Sequence, residues 1–211
     1  MEIKEYIKVN CINAINNVKV EDLVFSDNEY LVKIKENYEN TTVKKYILNQ
    51  TSCFDKRLVD SLKLVHLEED ILDKKMPVLS SSEKLKIELA ILLIQNVDCI
   101  VFDQFDSYFM EKELLFFKKL FKKLVSKYHK TIVFINSDLT FLFDLVDRIV
   151  VKESKKNILV FDNPTFYEEE LNLLVGTPKI VEFVRYVNDK GKKLHPYTDL
   201  KELLKAIFRE V

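Results

Sequence analysis

Apolar residues in the middle of the chain recur with two different spacings. Short continuous runs, such as Cys99–Phe102 and Thr131–Ile135, predict buried strands. Between these runs, apolar residues recur every three or four positions, as in Glu83–Asn96, and this spacing predicts helices. Strands that alternate with helices are typical of a mostly parallel sheet with helices packed on it. We therefore expect an α/β fold for this part of the chain.

The first 50 residues have a different pattern, rich in β-branched and aromatic residues between turns that carry Asn and Asp. Tyr30, Val32 and Ile34 alternate with longer or charged residues, as in a half-buried antiparallel strand. We expect an N-terminal antiparallel β region over residues 1–50. Its predicted strands are Glu2–Val9, Val18–Phe25, Tyr30–Lys35 and Thr42–Leu48.

Helical signals dominate residues 164–211, which we expect to form a C-terminal extension of a domain that spans residues 1–163. Thr165 and Glu168 form a capping-box pattern at the start of a short helix. Thr177 followed by Pro178 predicts the start of a second helix, and Gly191 its end. A last helix is predicted to begin at Thr198. By pattern alone, these helices could simply cover the sheet.

Composition and charge narrow the possible functions. The 211 residues are 47% hydrophobic and 32% charged, as in an ordinary soluble globular protein. The formal net charge of −1 does not indicate a nucleic-acid partner, and we expect the lysines of Leu114–Lys127 to form a solvated face. Cys11, Cys53 and Cys99 have no metal-binding or redox spacing, which fits a reducing cytoplasm. Without a membrane-spanning run, any peripheral membrane association is expected to depend on a protein partner.

Four segments in order carry a resemblance to ABC-type ATPase domains. Leu79–Glu83 resembles the Leu-Ser-Gly-Gly-Gln signature of that family, and Cys99–Asp103 resembles its Walker B strand at the family's spacing. Phe134–Asp138 resembles the switch segment, and Val146–Val151 matches the strand with the pattern ADRIVVL. The resemblance implies a P-loop-NTPase-like fold in which Asp103 associates with magnesium. Judged without the resemblance, Asp103 could simply cap the turn after its strand.

The elements that would perform ATP hydrolysis depart from the family pattern. A phosphate-binding loop of the form G-x-x-x-x-G-K-[ST] needs glycine amides and a lysine, yet the chain's two glycines are Gly176 and Gly191. Gln104 stands where the resemblance implies a glutamate that accepts a proton, and an amide has no useful basicity. Ser137 stands in place of the switch histidine. We therefore expect no autonomous hydrolysis and no cofactor, with ATP and Mg²⁺ relevant only if a residual site exists.

The signature-like segment allows two interpretations. The resemblance implies that Ser80 could contact a partner's ATP, although Ser81 and Ser82 replace glycines and Glu83 adds a negative charge. Alternatively, Ser80 is a helix N-cap and Glu83 completes a capping box. Gln50 could match the Q-loop glutamine, which follows a strand in the family, or could be an ordinary residue at a strand end.

The C-terminal pattern resembles the extension by which energy-coupling-factor ATPase subunits dimerise. The residues that this resemblance assigns to dimerisation are Ile180, Phe183, Val184, Leu203 and Leu204. We therefore expect a non-catalytic ATPase-like subunit that pairs with an intact ATPase subunit, or with itself, and reaches an integral membrane transport component indirectly. Two alternatives stay open: a residual ATP-binding or ATPase subunit that contributes its signature loop to a partner's site, and an interaction scaffold unrelated to transport.

Overall fold

A computed structural model describes residues 1–25, 29–35, 37–51, 56–135, 139–154, 157–162, 164, 166–167, 169–197 and 200–210. Several positions singled out in the sequence lie outside these ranges: Cys53, Ser137, Thr165, Glu168 and Thr198. The strands are β1 Ile12–Asn16, β2 Glu29–Val32, β3 Cys99–Asp103, β4 Thr131–Ile135, β5 Arg148–Lys152 and β6 Ile158–Asp162. The α-helices are α1 Val43–Thr51, α2 Lys56–Leu64, α3 Ser81–Gln95, α4 Glu111–Tyr128, α5 Glu169–Val175, α6 Lys179–Asp189 and α7 Leu200–Glu210.

The described strands form one mixed sheet in the order β2-β3-β4-β1-β5-β6. All neighbouring pairs are parallel except β5 and β6, which pair antiparallel. In the centre, Ala14 of β1 lies between Phe134 of β4 and Ile149 of β5. The prediction of a mostly parallel sheet with flanking helices is confirmed.

Every residue of β1 and β4 is buried, because both faces of the sheet are covered. On one face, side chains such as Phe102, Phe134 and Ile149 join the large core beneath the helices. On the other face, a smaller core includes Ile15 and Val133 and is covered by residues of the N-terminal segments. The sheet is therefore the middle layer of the domain.

The N-terminal predictions were largely wrong. Of the four expected strands, Tyr30–Lys35 overlaps a real one, β2, and β2 is parallel to β3 rather than antiparallel. Thr42–Leu48 lies mostly in helix α1, whose buried residues Val43, Tyr46 and Ile47 follow helical spacing. The described 3-10 turns Ile3–Glu5 and Val20–Asp22 occupy parts of the other two expected strands. In the described part of residues 1–50, therefore, no antiparallel β region forms.

The central strand β1 was missed because two asparagines interrupt its apolar pattern. Asn13 is nevertheless fully buried, because its amide accepts a hydrogen bond from the Lys8 amide nitrogen at 2.8 Å and donates one to the Lys8 carbonyl at 3.0 Å. These bonds satisfy the polar side chain in the interior. Pairing with β4 on one side and β5 on the other then outweighs the weak local preference of the segment for strand.

Helix α4 packs on β1 and β4 with an apolar face, where Phe117, Phe121 and Leu124 are buried. The opposite face is exposed at Lys119, Lys122, Lys123 and Lys127, as predicted. Lys118 is an exception, since it is half-buried and forms an ion pair with Asp144.

The tail helices form a small core of their own. Val184 of α6 and Leu203 of α7 are buried together with Leu194 of the connecting segment. Helix α6 begins one residue later than predicted, so that Pro178 occupies its N-cap position, and the chain leaves the helix at Gly191 with a φ of 87°. A positive φ at this point is readily adopted by glycine and ends the helix.

Candidate functional site

The carboxyl ends of β1, β4 and β3 meet at one edge of the sheet, at Asn16, Ile135 and Asp103 respectively. After β1, the chain crosses to β2 at one side of this group. After β4, it crosses to β5 at the other side. In open parallel sheets, such a change of direction places a ligand crevice at the carboxyl edge. The structure thus puts Asp103 at the position where a ligand site is expected.

Asp103 has an acidic neighbour at this edge. The carboxyl group is half-buried, and burial raises its pKa above the ordinary value; the negative charge of Glu21 raises the pKa further. Glu21 belongs to the 3-10 turn Val20–Asp22 that follows β1. Sequence reasoning missed Glu21, because without β1 nothing in the sequence linked residues 17–25 to the carboxyl edge.

The connection that leaves β1 contains no α-helix in its described part, residues 17–25. Asn17 has a φ of 59°, and the chain then forms the short turn Val20–Asp22. The Met1 amino group donates a hydrogen bond to the Asp22 carbonyl at 2.8 Å, and the Val24 amide nitrogen donates one to the Met1 carbonyl at 2.9 Å. This connection is therefore a turn tied to the N-terminus.

Gln104, directly after Asp103, is held in a left-handed conformation with a φ of 47°. Its backbone N–H donates a hydrogen bond to the Ile135 carbonyl at 3.0 Å, and its side-chain Nε2 donates to the same oxygen at 3.3 Å. The Ser107 hydroxyl donates to the Gln104 carbonyl at 2.7 Å. A positive φ is uncommon for glutamine, and here these bonds hold the turn in place. The predicted switch residue Ser137 lies outside the described residues.

The signature-like segment forms a complete capping box at the start of α3. The Glu83 amide nitrogen donates to Ser80 Oγ at 3.2 Å, and the Ser80 amide nitrogen donates to Glu83 Oε2 at 2.9 Å. Ser80 Oγ also lies 2.8 Å from Glu83 Oε2 and 3.2 Å from Ser82 Oγ. Burial alone would raise the pKa of Glu83, but the bonds from Ser80 lower it overall. The capping-box interpretation is confirmed, and Glu83 occupies the positive end of the helix. Ser81 is exposed in the first turn.

Gln50 does not follow a strand, so the expectation about its position was wrong. It lies exposed in the last turn of α1, where its carbonyl accepts a hydrogen bond from Gln95 Nε2 at 3.1 Å. Gln95 is the last residue of α3, just before β3 begins, whereas Asp103 is the last residue of β3. The structure therefore places Gln50 at the opposite end of β3 from Asp103.

The five residues expected to mediate dimerisation differ in exposure. Val184 and Leu203 are buried within the chain, where they hold α6 and α7 together, so the expectation that they face a partner was wrong. Ile180 is half-buried against the same cluster. Phe183 and Leu204 are exposed. The spacing identified the apolar residues but not which of them the chain itself covers.

A polar cluster joins the segment after β2 to helices α1 and α3 and was not predicted. The hydroxyls of Tyr46 and Tyr38 donate to Glu88 Oε1 at 2.7 and 3.1 Å. Lys35 Nζ donates to the Tyr46 hydroxyl at 2.5 Å. Burial raises the pKa of both tyrosines above the ordinary value of 10.0, and the neighbouring Glu88 raises it further. The cluster satisfies these polar groups and ties the end of β2 to the helical layer.

Within the described residues, we looked for side chains that could bind a metal ion and for helices that could span a membrane. No group of three or more His, Cys, Asp or Glu side chains within the described ranges could hold a metal ion, so Asp103 has no set of co-ligands there. No helix in that same portion of the chain is both long and apolar enough to cross a bilayer.

Comparison with curated sequences finds ATP-binding subunits of transporters. The tungstate uptake ATP-binding protein TupC of Campylobacter jejuni is 27% identical over 152 residues, which is 72% of this chain and 44% of that protein. The energy-coupling factor transporter ATP-binding protein EcfA2 of Streptococcus agalactiae is 28% identical over 158 residues, 70% of this chain and 54% of that protein. The chain spans about half the length of the curated relatives it matches. No protein-family model matches it.

Comparison with solved structures finds ABC ATPase folds. A metal-chelate type ABC transporter matches with a TM-score of 0.65 at 13% identity, covering 80% of this chain and 78% of that one. CbiO1 of Clostridium perfringens, part of an ABC transporter complex, matches with a TM-score of 0.62 at 16% identity, covering 85% and 89%. The dimeric cassette MJ0796 with ADP and Pi matches with a TM-score of 0.58 at 17% identity, covering 75% and 88%. The chain has the P-loop-NTPase-like fold of ABC ATPase domains.

Proposed function

We propose that this chain is a non-catalytic ATPase-like subunit that pairs with an intact ATP-binding subunit in a membrane transport system. The observation that carries the proposal is the turn after β1, where residues 17–25 contain no glycine, form a short 3-10 turn and place the charge of Glu21 near Asp103. In the ABC ATPase domains that the chain resembles, an acid at the position of Asp103 accompanies magnesium, so the departure lies in the turn after β1 and not in Asp103.

The turn after β1 is poorly suited to hold a triphosphate. A phosphate-binding loop surrounds the anion with backbone N–H groups and the start of a helix, and it adds a lysine. Residues 17–25 contain no glycine and form a 3-10 turn instead of a helix. The negative charge of Glu21, which acts on Asp103, would also act unfavourably on the phosphates of a bound ATP. Nucleotide binding of the family's usual kind is therefore disfavoured.

Gln104, at the position of the family's general base, also argues against ATP hydrolysis. A general base must accept a proton from the attacking water, and the amide of Gln104 cannot do so. Its Nε2 also donates to the Ile135 carbonyl at 3.3 Å, so the side chain is turned toward β4. Even if nucleotide were bound, this chain would lack the proton acceptor for hydrolysis.

The capping box argues against the alternative in which Ser80 completes a partner's ATP site. Its hydroxyl is 2.8 Å from Glu83 Oε2, and the Glu83 carboxylate occupies the N-terminus of α3. A phosphate would have to displace this carboxylate, which is held by two groups of the same residue, Ser80. We therefore assign the signature-like segment a structural role.

What the chain retains supports a role as a partner subunit. In the described residues, six strands form one sheet with an apolar core on each face. Phe183 of α6 remains 43% exposed beside the tail core, as a residue in contact with a partner would be in the isolated chain. Because the cassette structure MJ0796 is dimeric, a second ATPase-type subunit is the natural partner, and an integral membrane component would be reached through the assembly.

Nucleotide binding by the isolated chain tests the first half of the proposal. Isothermal titration with ATP and Mg²⁺ up to millimolar concentration should show no saturable heat, and Glu21→Gln should not restore binding. An intact ATP-binding subunit, titrated under the same conditions, is the positive control. Saturable binding by the wild-type chain, or phosphate release that Asp103→Asn abolishes, would overturn the non-catalytic assignment.

Pairing is tested by co-expression with intact ATPase subunits encoded in the same genome. Light scattering after size exclusion should find a stoichiometric complex that Phe183→Ser weakens, whereas Leu173→Ser, a matched change at an exposed leucine of α5, leaves it intact. Ser80→Ala should leave the partner's ATPase rate unchanged. A large loss of that rate would instead favour the signature-donating alternative, and a chain that remains monomeric with every intact subunit would refute the proposal.

A further inference from the structure

Helix α7 presents an apolar strip that the chain does not cover. Leu200, Leu204 and Phe208 are 57%, 44% and 78% exposed. Residues four positions apart lie on one side of a helix, so these three side chains form a continuous strip along it. Single exposed apolar side chains are ordinary on a protein surface, whereas a continuous strip of large ones indicates a binding surface.

The orientation of the strip is set by the opposite side of the helix. Leu203 is 2% exposed and packs in the tail core with Val184 and Leu194, and Ile207 packs against the same core. Helix α7 is therefore anchored to the rest of the tail by one face. The strip lies next to this buried face and points away from the core.

A basic strip borders the apolar one on its other side. Lys201, Lys205 and Arg209 each follow a residue of the apolar strip by one position, about 100° further around the helix. All three are exposed. Lys205 lies 3.1 Å from Glu202, but both side chains are more than 60% exposed, so this ion pair is weak and readily exchanged.

The charge balance of the tail agrees with this pattern. Residues 176–211 contain eight lysines and arginines but five acidic residues, although the whole chain has a formal net charge of −1. Lys190, Lys192 and Lys193, in the segment that leads to Leu194, are also exposed. Positive charge is therefore concentrated in the part of the molecule that carries the apolar strip.

We propose that α7 binds the surface of an anionic lipid bilayer. A helix with an apolar strip beside a basic one lies in the bilayer interface, where apolar side chains enter the headgroup boundary and cations meet anionic lipids. Two copies of this chain fit less well, because antiparallel packing through the strip about a two-fold axis would bring the two basic strips to the same side. The exposure of Leu204 is thus assigned to lipid rather than to a partner subunit.

Vesicle co-sedimentation with the full chain tests the proposal without ATP or any partner, so its outcome is independent of the proposed function. Vesicles of phosphatidylcholine with about one third phosphatidylglycerol should bind the chain, and vesicles of phosphatidylcholine alone should bind it at least about tenfold less. Raising the salt from about 0.1 M to about 0.5 M should reduce binding, since it shortens the Debye length.

Two double variants separate the two strips. Leu204→Ser with Phe208→Ser, and Lys201→Gln with Lys205→Gln, should each reduce binding by about tenfold or more. Leu173→Ser is the matched control, because Leu173 is 81% exposed on α5 and outside the strip. Circular dichroism should show that all variants are folded.

Three results would overturn the proposal. The first is an absence of vesicle binding by the wild-type chain, and the second is binding that does not depend on anionic lipid. The third is a wild-type dimer, seen by light scattering, that Leu204→Ser with Phe208→Ser dissociates while vesicle binding is unchanged. That last result would assign the strip to a second copy of the chain.

Discussion

Replacing Phe105 with alanine should destabilise the domain more than a typical core truncation. Phe105 follows Gln104 at the carboxyl edge of the sheet and is 1% exposed. Its ring contacts several other rings, with centroid distances of 4.8 Å to Phe102, 4.7 Å to Phe109 and 5.0 Å to Phe117. Further ring contacts are made with Phe121, Phe134 and Phe141. The turn after Asp103 is thus anchored by one aromatic side chain.

The expected cost follows from this packing. Truncating a buried phenylalanine to alanine costs about 3–5 kcal/mol, which includes the cavity left behind. Aromatic pairs add about 0.5–1.5 kcal/mol each beyond the area they bury. With six ring neighbours around Phe105, we expect about 4–5 kcal/mol, near the upper end of the range. For a domain of this size, such a loss lowers Tm by about 10–15 °C.

Urea unfolding followed by far-UV circular dichroism measures the effect, which suits a chain without tryptophan. Phe105→Leu should cost less, about 1–2 kcal/mol, because leucine fills part of the cavity. Phe208→Ala, at an exposed ring, should change the free energy of unfolding by less than about 0.5 kcal/mol. A loss below about 1.5 kcal/mol for Phe105→Ala would contradict the reasoning, because the rings could then not be packed as described.

Three further predictions concern Ser80, Asp103 and Gln50. Ser80→Ala should lower the free energy of unfolding by about 1 kcal/mol, because it removes the N-cap of α3. Ser81→Ala, at an exposed position, should lower it little. Chemical denaturation of both variants measures the difference. The native state raises the pKa of Asp103, so this group's contribution to stability is complete below the ordinary value of 3.8 and is lost as pH rises through the folded pKa. Asp103→Asn should therefore raise Tm at pH 7 but not near pH 3, and Glu21→Gln should do so to a smaller extent; unchanged Tm at pH 7 for both would refute the assigned repulsion. Gln50→Ala should change stability by less than about 0.5 kcal/mol, and a larger loss would show that its exposed side chain has a role the structure does not assign.

The secondary structure in the middle of the chain could be predicted from the sequence, because it depends on patterns of neighbouring residues. The capping box at Ser80 and Glu83 depends on a spacing of three residues, and the strand Cys99–Asp103 is a continuous apolar run that ends on an acid. These patterns predict a helix and a strand wherever the segment is placed. The resemblance to ABC ATPase domains then implied the fold, which the structure comparisons confirm.

The first 50 residues could not be read in the same way. The apolar pattern of β1 is interrupted by Asn13 and Asn16, yet it is the strand that β4 and β5 pair with. Thr42–Leu48 has the β-branched and aromatic residues of a strand but folds as α1, because burial of Val43, Tyr46 and Ile47 against the core requires helical spacing. In both segments, packing outweighed local preference.

The sequence by itself determined that the chain has an α/β core, that Ser80 caps the N-terminus of α3, and that the residues before Ser80 include no glycine. The tertiary structure alone decided that Glu21 lies near Asp103, that Gln50 lies away from both, and that Phe183 is exposed while its neighbour Val184 is buried. The reason is physical. Caps and periodicity act over a few residues, whereas sheet order and burial arise when distant segments exclude water from the same core.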